Sequence, residues 1–249
     1  MYATANYRIN FIAQLIPRCL LLAQSFLIRP DHVHRLCVAA VASIILILIV
    51  CFISFAYAEK HHLINSFFYG RVQFSFVDGG YPEFLGYVLE LVACAIFVAF
   101  AKAHNKKQWY AWAAILLVTF MDDAFKVHET IGHFSSVGLG LSPVVGDLIG
   151  FAATGFLSAV LWFVGMRTIA SKNDLSAYFV FTAYFAILMF FGVGVDAMHE
   201  LLGKNMSQTL FTLFEDGGEL ITTALITLSA LGMWLQQKHR VIALNLQMN

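Results

Sequence analysis

Residues 36–58 read LCVAAVASIILILIVCFISFAYA and carry no charged side chain. At about 1.5 Å of rise per residue, a helix of this length crosses the roughly 30 Å of hydrocarbon in a bilayer. The rest of the chain agrees with that reading. Of its 249 residues, 60% are hydrophobic and only 12% charged, with a mean hydropathy of +0.76, whereas soluble domains carry about 25% charged residues. Further apolar runs cover 84–101, 109–132, 148–166, 177–201 and 211–235. The expected fold class is therefore all-α: a polytopic membrane protein built as a six-transmembrane-helix bundle.

Lys and Arg residues set the expected orientation, because positive charge is retained on the cytoplasmic side. Arg8, Arg18, Arg29 and Arg35 precede the first span, Lys102, Lys106 and Lys107 join the second to the third, Arg167 and Lys172 join the fourth to the fifth, and Lys238 and Arg240 follow the sixth. Eleven of the fifteen basic residues thus fall on one side, and both termini are expected to be cytoplasmic. Residues 1–34, with Ile9, Ile12, Leu15 and Ile16 beside Arg8 and Arg18, read as an amphipathic helix in the membrane interface. The apolar stretch after Arg18 is short for a signal peptide and shows no small-x-small cleavage site. Residues 35–240 form the six-helix domain and 241–249 a short cytoplasmic tail. Cys19, Cys37, Cys51 and Cys94 lack the spacing of a thiolate metal site and read as small buried residues. The connection 59–82 is rich in aromatic residues, as a membrane-interface loop is, and as a lid over the outer helix ends would also be.

With this topology the acids sort to one level. Glu83, Glu90, Asp122, Asp123, Glu129, Asp147, Asp196, Glu200, Glu215, Asp216 and Glu219 are eleven of the fifteen carboxylates, and all fall toward the outer ends of spans, joined by His128, His133 and His199. On an ideal helix Asp122, Lys126, Glu129 and His133 share an arc of about 60°. His128 lies about 120° from Asp122, so it faces a neighbouring helix or the helix has ended there.

A repeat runs through this cluster. His128-Glu129-x-x-Gly132 recurs as His199-Glu200-x-x-Gly203, and Gly146-Asp147-Leu148-Ile149 recurs as Gly218-Glu219-Leu220-Ile221, with nineteen and twenty residues from His to acid. Tandem helical hairpins are the expectation, with a fainter third copy running from His62 to Glu83.

Ionisable groups at membrane depth are costly and mark functional sites. Carboxylate oxygen with imidazole nitrogen suits a divalent metal ion, iron, zinc or manganese. The candidate ligands are Asp122, His128, Glu129, His133, Asp147, Asp196, His199, Glu200, Glu215 and Glu219, with Glu129 and Glu200 as candidate catalytic bases. Asp196 and His199 stand at i and i+3, as acid and histidine do in di-iron bundles. His128 and His133, at i and i+5, diverge by about 140° on one helix, which rules out a zinc-protease pair. Structural pairing of these acids with one another, with Lys126 and with the helix dipoles is the bland alternative.

The leading expectation is a membrane metalloenzyme, a hydrolase or a di-iron-type oxidoreductase, acting on a lipid-like or other apolar substrate from a site on the periplasmic, lumenal or exterior side. A proton or divalent-cation transporter is the rival, although the inner halves of the spans offer no acidic continuation. A structural subunit of a membrane complex is a third reading. The lipid bilayer is the expected partner, and nothing in a formally neutral chain calls for nucleic acid.

Overall fold

The computed structural model describes residues 2–28, 31–77, 79–195, 198 and 208–247. Their architecture is helical: α1 (Tyr2–Leu27), α2 (His32–Lys60), α3 (Tyr81–His104), α4 (Gln108–Phe125), α5 (Val127–Leu139), α6 (Pro143–Met166), α7 (Lys172–Met189) and α8 (Gln208–Gln247). A 3-10 turn, Val72–Phe74, sits in the α2–α3 connection, and a π-helical stretch, Phe190–Val195, extends α7. There is no strand among the described residues.

Local chemistry sets the helix ends. Asp31 caps α2 by accepting from the His34 backbone N–H at 3.1 Å. Ser142 caps α6, with Pro143 at its first position. Ser171 caps α7 by accepting from Asp174 N–H at 3.0 Å. Each satisfies one of the backbone donors that a helix start leaves open.

Among the described residues five helices are long and apolar enough to cross a membrane: α2, α3, α6, α7 with its π-helical extension, and α8. The six-helix expectation changes at its third span. Residues 109–132 are not one helix: α4 stops at Phe125, Lys126 adopts a left-handed conformation (φ 51°, ψ 49°), and the short α5 starts at once. The shared arc expected of Asp122, Lys126, Glu129 and His133 is lost with it. The hairpin repeat also remains a feature of the sequence alone, since α4 breaks at a left-handed residue whereas α7 runs on through a π-helical stretch. At the tail, α8 continues to Gln247.

The core lies toward one end of the bundle. Phe97 and Phe100 of α3, Trp109 and Trp112 of α4, Tyr178 and Phe181 of α7 and Ile226 of α8 are all buried there. The rings of Phe97 and Trp109 stack at 5.5 Å, and Phe181 meets Phe97 edge-on at 4.9 Å. Tyr178 donates to the Trp162 carbonyl at 2.8 Å, Trp162 Nε1 to Thr182 at 2.9 Å, and Thr227 to the Leu89 carbonyl at 2.9 Å. Such bonds between membrane helices contribute about 0.6 kcal/mol each. At this same end Lys106, in the α3–α4 turn, pairs with Asp174 of α7 at 2.5 Å. The second half of α1 joins the core, with Phe26 buried against Phe181. By contrast α2 has few buried residues and is held at the edge of the bundle by Phe52 and neighbours.

Candidate functional site

The opposite end of the bundle is hollow. A cavity of about 410 Å³ is walled by α3, α4, α5, α6, α7 and α8. Among the described residues its wall carries nine carboxylates, Glu83, Glu90, Asp122, Asp123, Glu129, Asp147, Glu215, Asp216 and Glu219, against one lysine, Lys126, and one histidine, His128. Phe151, Phe185, Leu188 and Met189 supply an apolar side, and Thr119, Thr154, Ser158 and Thr223 add hydroxyls.

The break at Lys126 builds the centre of this wall. The Lys126 N–H closes α4 by donating to the Asp122 carbonyl, and Thr130 N–H donates to the Lys126 carbonyl at 2.9 Å as α5 begins. No side chain at Lys126 caps α5. Asp122 does so from the previous helix: its Oδ1 accepts from His128 N–H at 2.7 Å and lies 3.1 Å from His128 Nδ1. The imidazole stacks on Phe151 at 4.0 Å with an interplanar angle of 17°. Burial pulls the His128 imidazole down, but the hydrogen bond and charge of Asp122, helped by Glu129 and Asp123, outweigh it and hold its pKa above the usual histidine value.

Glycines explain the spacing of the His-Glu-x-x-Gly segment. A methyl group on Gly132 would strike Asp147, one on Gly146 would strike the Gly132 carbonyl, and one on Gly150 would strike the backbone of His128. Helices α5 and α6 therefore touch backbone to backbone, the close approach that small residues permit between membrane helices. This contact sets His128 and Asp147 on one wall. Across the cavity Gly192 makes room for the Glu219 carboxylate, and Gly218 for the Phe191 ring.

Other groups fix the rim. Glu83, in the first turn of α3, accepts from the Gly79 N–H and from the Tyr87 hydroxyl, which also lies 3.1 Å from the Asp123 carbonyl oxygen. Lys126 Nζ lies 3.3 Å from Glu129. Deeper in, Glu90 is 2% exposed, and its Oε2 is buried without a hydrogen-bond partner.

Of the residues expected at a site, the structure brings Asp122, His128, Glu129, Asp147, Glu215 and Glu219 to this one wall. His133 stands on the exposed side of α5, beside Phe134, and does not line the cavity. Asp196, His199 and Glu200 lie outside the described residues. Among the described residues no three His, Cys, Asp or Glu side chains gather closely enough to hold a metal ion. Glu83, Glu90, Asp123 and Asp216 join the wall without having been expected as site residues. Their signal was the shared level of the acids, which holds for them as for the rest.

A family model, Domain of unknown function (DUF8692), matches residues 36–234. The chain belongs to this family. The DUF8692 region takes in every residue of the cavity wall and leaves α1 and the last turns of α8 outside. No curated protein and no solved structure matches the chain.

Proposed function

We propose that this chain is an integral membrane metalloenzyme that binds a divalent cation in its carboxylate–histidine cavity and acts on a lipid-like or other apolar substrate. The observation that carries the reading is the wall itself, nine carboxylates against Lys126 and His128. So many acids in a membrane-embedded cavity need protons or a cation to balance them.

The donor chemistry fits. Asp122 beside His128 Nδ1 at 3.1 Å is the outer-sphere partner that a metal-ligating histidine usually has, and it leaves Nε2 as the ligand atom. Asp122 then orients a ligand rather than serving as one. His128, Glu129, Asp147, Glu215 and Glu219 are the described residues that would hold the ion. Because the described residues do not close a three-ligand centre, the reading also draws on His199 and Glu200, on the sequence argument alone. A divalent cation bound here would polarise a substrate oxygen or acidify a water. The chain's own part is to orient and to move protons, with Glu129 as the described carboxylate able to take one from a bound water. The apolar side formed by Phe151, Phe185, Leu188 and Met189 suits an acyl chain or similar group.

A through-going transport path is disfavoured by the aromatic packing of Phe97, Trp109, Trp112 and Phe181 beyond the cavity. In this reading both termini are cytoplasmic and the cavity faces outward, as the distribution of basic residues implies.

Elemental analysis of protein purified in detergent without chelator tests the reading. Near-stoichiometric iron, zinc or manganese is expected, falling when Glu129 or Glu219 is changed to Ala. Metal-free protein that stays folded and active contradicts it.

A further inference from the structure

Among the described residues, the helices around the cavity form an arc whose two ends part company at the hollow end of the bundle. In the order α7, α8, α3, α4, α6 each packs on the next, and α5 lies against α6. The ends of the arc, α6 and α7, are tied together near the core. Trp162 Nε1 donates to Thr182 at 2.9 Å, and Tyr178 donates to the Trp162 carbonyl at 2.8 Å. Seven residues nearer the cavity, about two turns along the same face of each helix, stand Gly155 and Met189, and both line the cavity. A methyl group added to Gly155 would meet nothing within 4 Å. The seam that Trp162 closes is therefore open at the level of Gly155.

The two sides of this opening differ from the rest of the wall. Phe156 of α6 and Ile187 and Phe190 of α7 stand beside it and are exposed, as apolar residues that meet acyl chains are. Inside it, Thr154 and Ser158 of α6 and Phe185, Leu188 and Met189 of α7 line the cavity. Among the described residues α7 and its π-helical extension give the wall no charged side chain, and α6 gives only Asp147, in its second turn. The opening thus joins a lipid-facing surface to an acidic chamber through an uncharged passage. Such a passage suits the apolar part of an amphiphile, because an ion would leave its solvation without gaining a partner there.

We propose that the cavity opens sideways to the bilayer between α6 and α7, and that a membrane-dissolved amphiphile enters there, its acyl chain lying between Gly155 and Met189. The opening stands on the packing of α6 and α7. That the entering molecule is the substrate rests on the enzymatic reading above.

Photolabelling of the full chain tests this. The protein is reconstituted in vesicles of phosphatidylcholine carrying a diazirine in its acyl chain, irradiated, and its adducts are mapped by mass spectrometry. Adducts are expected on Thr154, Ser158 and Met189 inside the opening as well as on Phe156 and Ile187 beside it. Gly155→Trp should lose the inner adducts and keep the outer ones, and the free space at Gly155 should leave its Tm close to that of the wild type. Met189→Trp, which narrows the opening from the α7 side, should reduce the labelling of Thr154 and Ser158 in the same way. Adducts confined to the lipid-facing residues of the wild type overturn the proposal. So do inner adducts that neither folded variant diminishes, because the chain would then have entered from the end of the bundle. Inner adducts in protein that never holds a metal sink the metal reading and leave the entrance standing; metal-loaded protein without them does the reverse.

Discussion

One oxygen of Asp122 serves two atoms of His128, the backbone N–H at 2.7 Å and Nδ1 at 3.1 Å. The same carboxylate therefore starts α5 and aims the imidazole. It does so across the left-handed turn at Lys126, so helix geometry and site geometry are set by one residue. Removing it should do two things at once. Asp122→Ala should destabilise the protein by about 1–3 kcal/mol, the usual cost of leaving such donors unmet.

That cost should depend on pH, in a direction fixed by His128. Its pKa is raised in the folded protein, above the ordinary value of about 6.5. A raised folded pKa gives stability that is fully present below the unfolded value and is lost as pH rises through the folded one. In chelator-treated protein, Asp122→Ala should thus cost more near about pH 6 than in alkaline solution. Denaturant unfolding of wild type and variant at both pH values checks this. An equal cost at both would mean that the pair contributes only through the backbone N–H.

Gly150 tests the backbone contact between α5 and α6. A methyl group there meets His128 main-chain atoms, which cannot swing aside as a side chain does. Gly150→Ala should cost about 1–3 kcal/mol as an overpacking change, and should impair the site through displaced His128. Gly155, where an added methyl group would have nothing within 4 Å, is the control. Gly155→Ala should leave stability within about 0.5 kcal/mol of wild type. Equal effects of the two substitutions would contradict the packing account.

The aromatic packing beyond the cavity bears on transport. Vesicles containing the protein should hold a pH gradient as long as empty vesicles do, measured with an enclosed dye. A leak abolished by Glu90→Gln would contradict the one-sided cavity and favour a proton path.

Much of this was legible in the sequence, for identifiable reasons. Long apolar runs such as 36–58 mark spans because the bilayer imposes a minimum length. The acids announced themselves because charge at that depth is costly. The break at Lys126 was not legible, since a lysine in left-handed conformation carries no local signal of the kind glycine gives. The odd angular position of His128 was its only trace, and the structure resolves it: the helix has ended. Tertiary packing decided the rest. Gly146 and Gly150 stand four apart, a spacing that permits close helix approach, but only the fold shows that α5 is the helix they meet, and His133 left the site because α5 turns it outward.

The central claim, that the carboxylate wall holds a divalent cation, is tested most directly by thermal unfolding of chelator-treated protein with and without added manganese or zinc. A ligand that binds only the folded state stabilises it by about 2.7 kcal/mol at a hundredfold excess over its dissociation constant. The account predicts a concentration-dependent rise in Tm for the wild type, largely lost in Glu129→Gln and Glu219→Gln. A wild-type Tm that does not respond to either metal, or a rise undiminished in both variants, would contradict it.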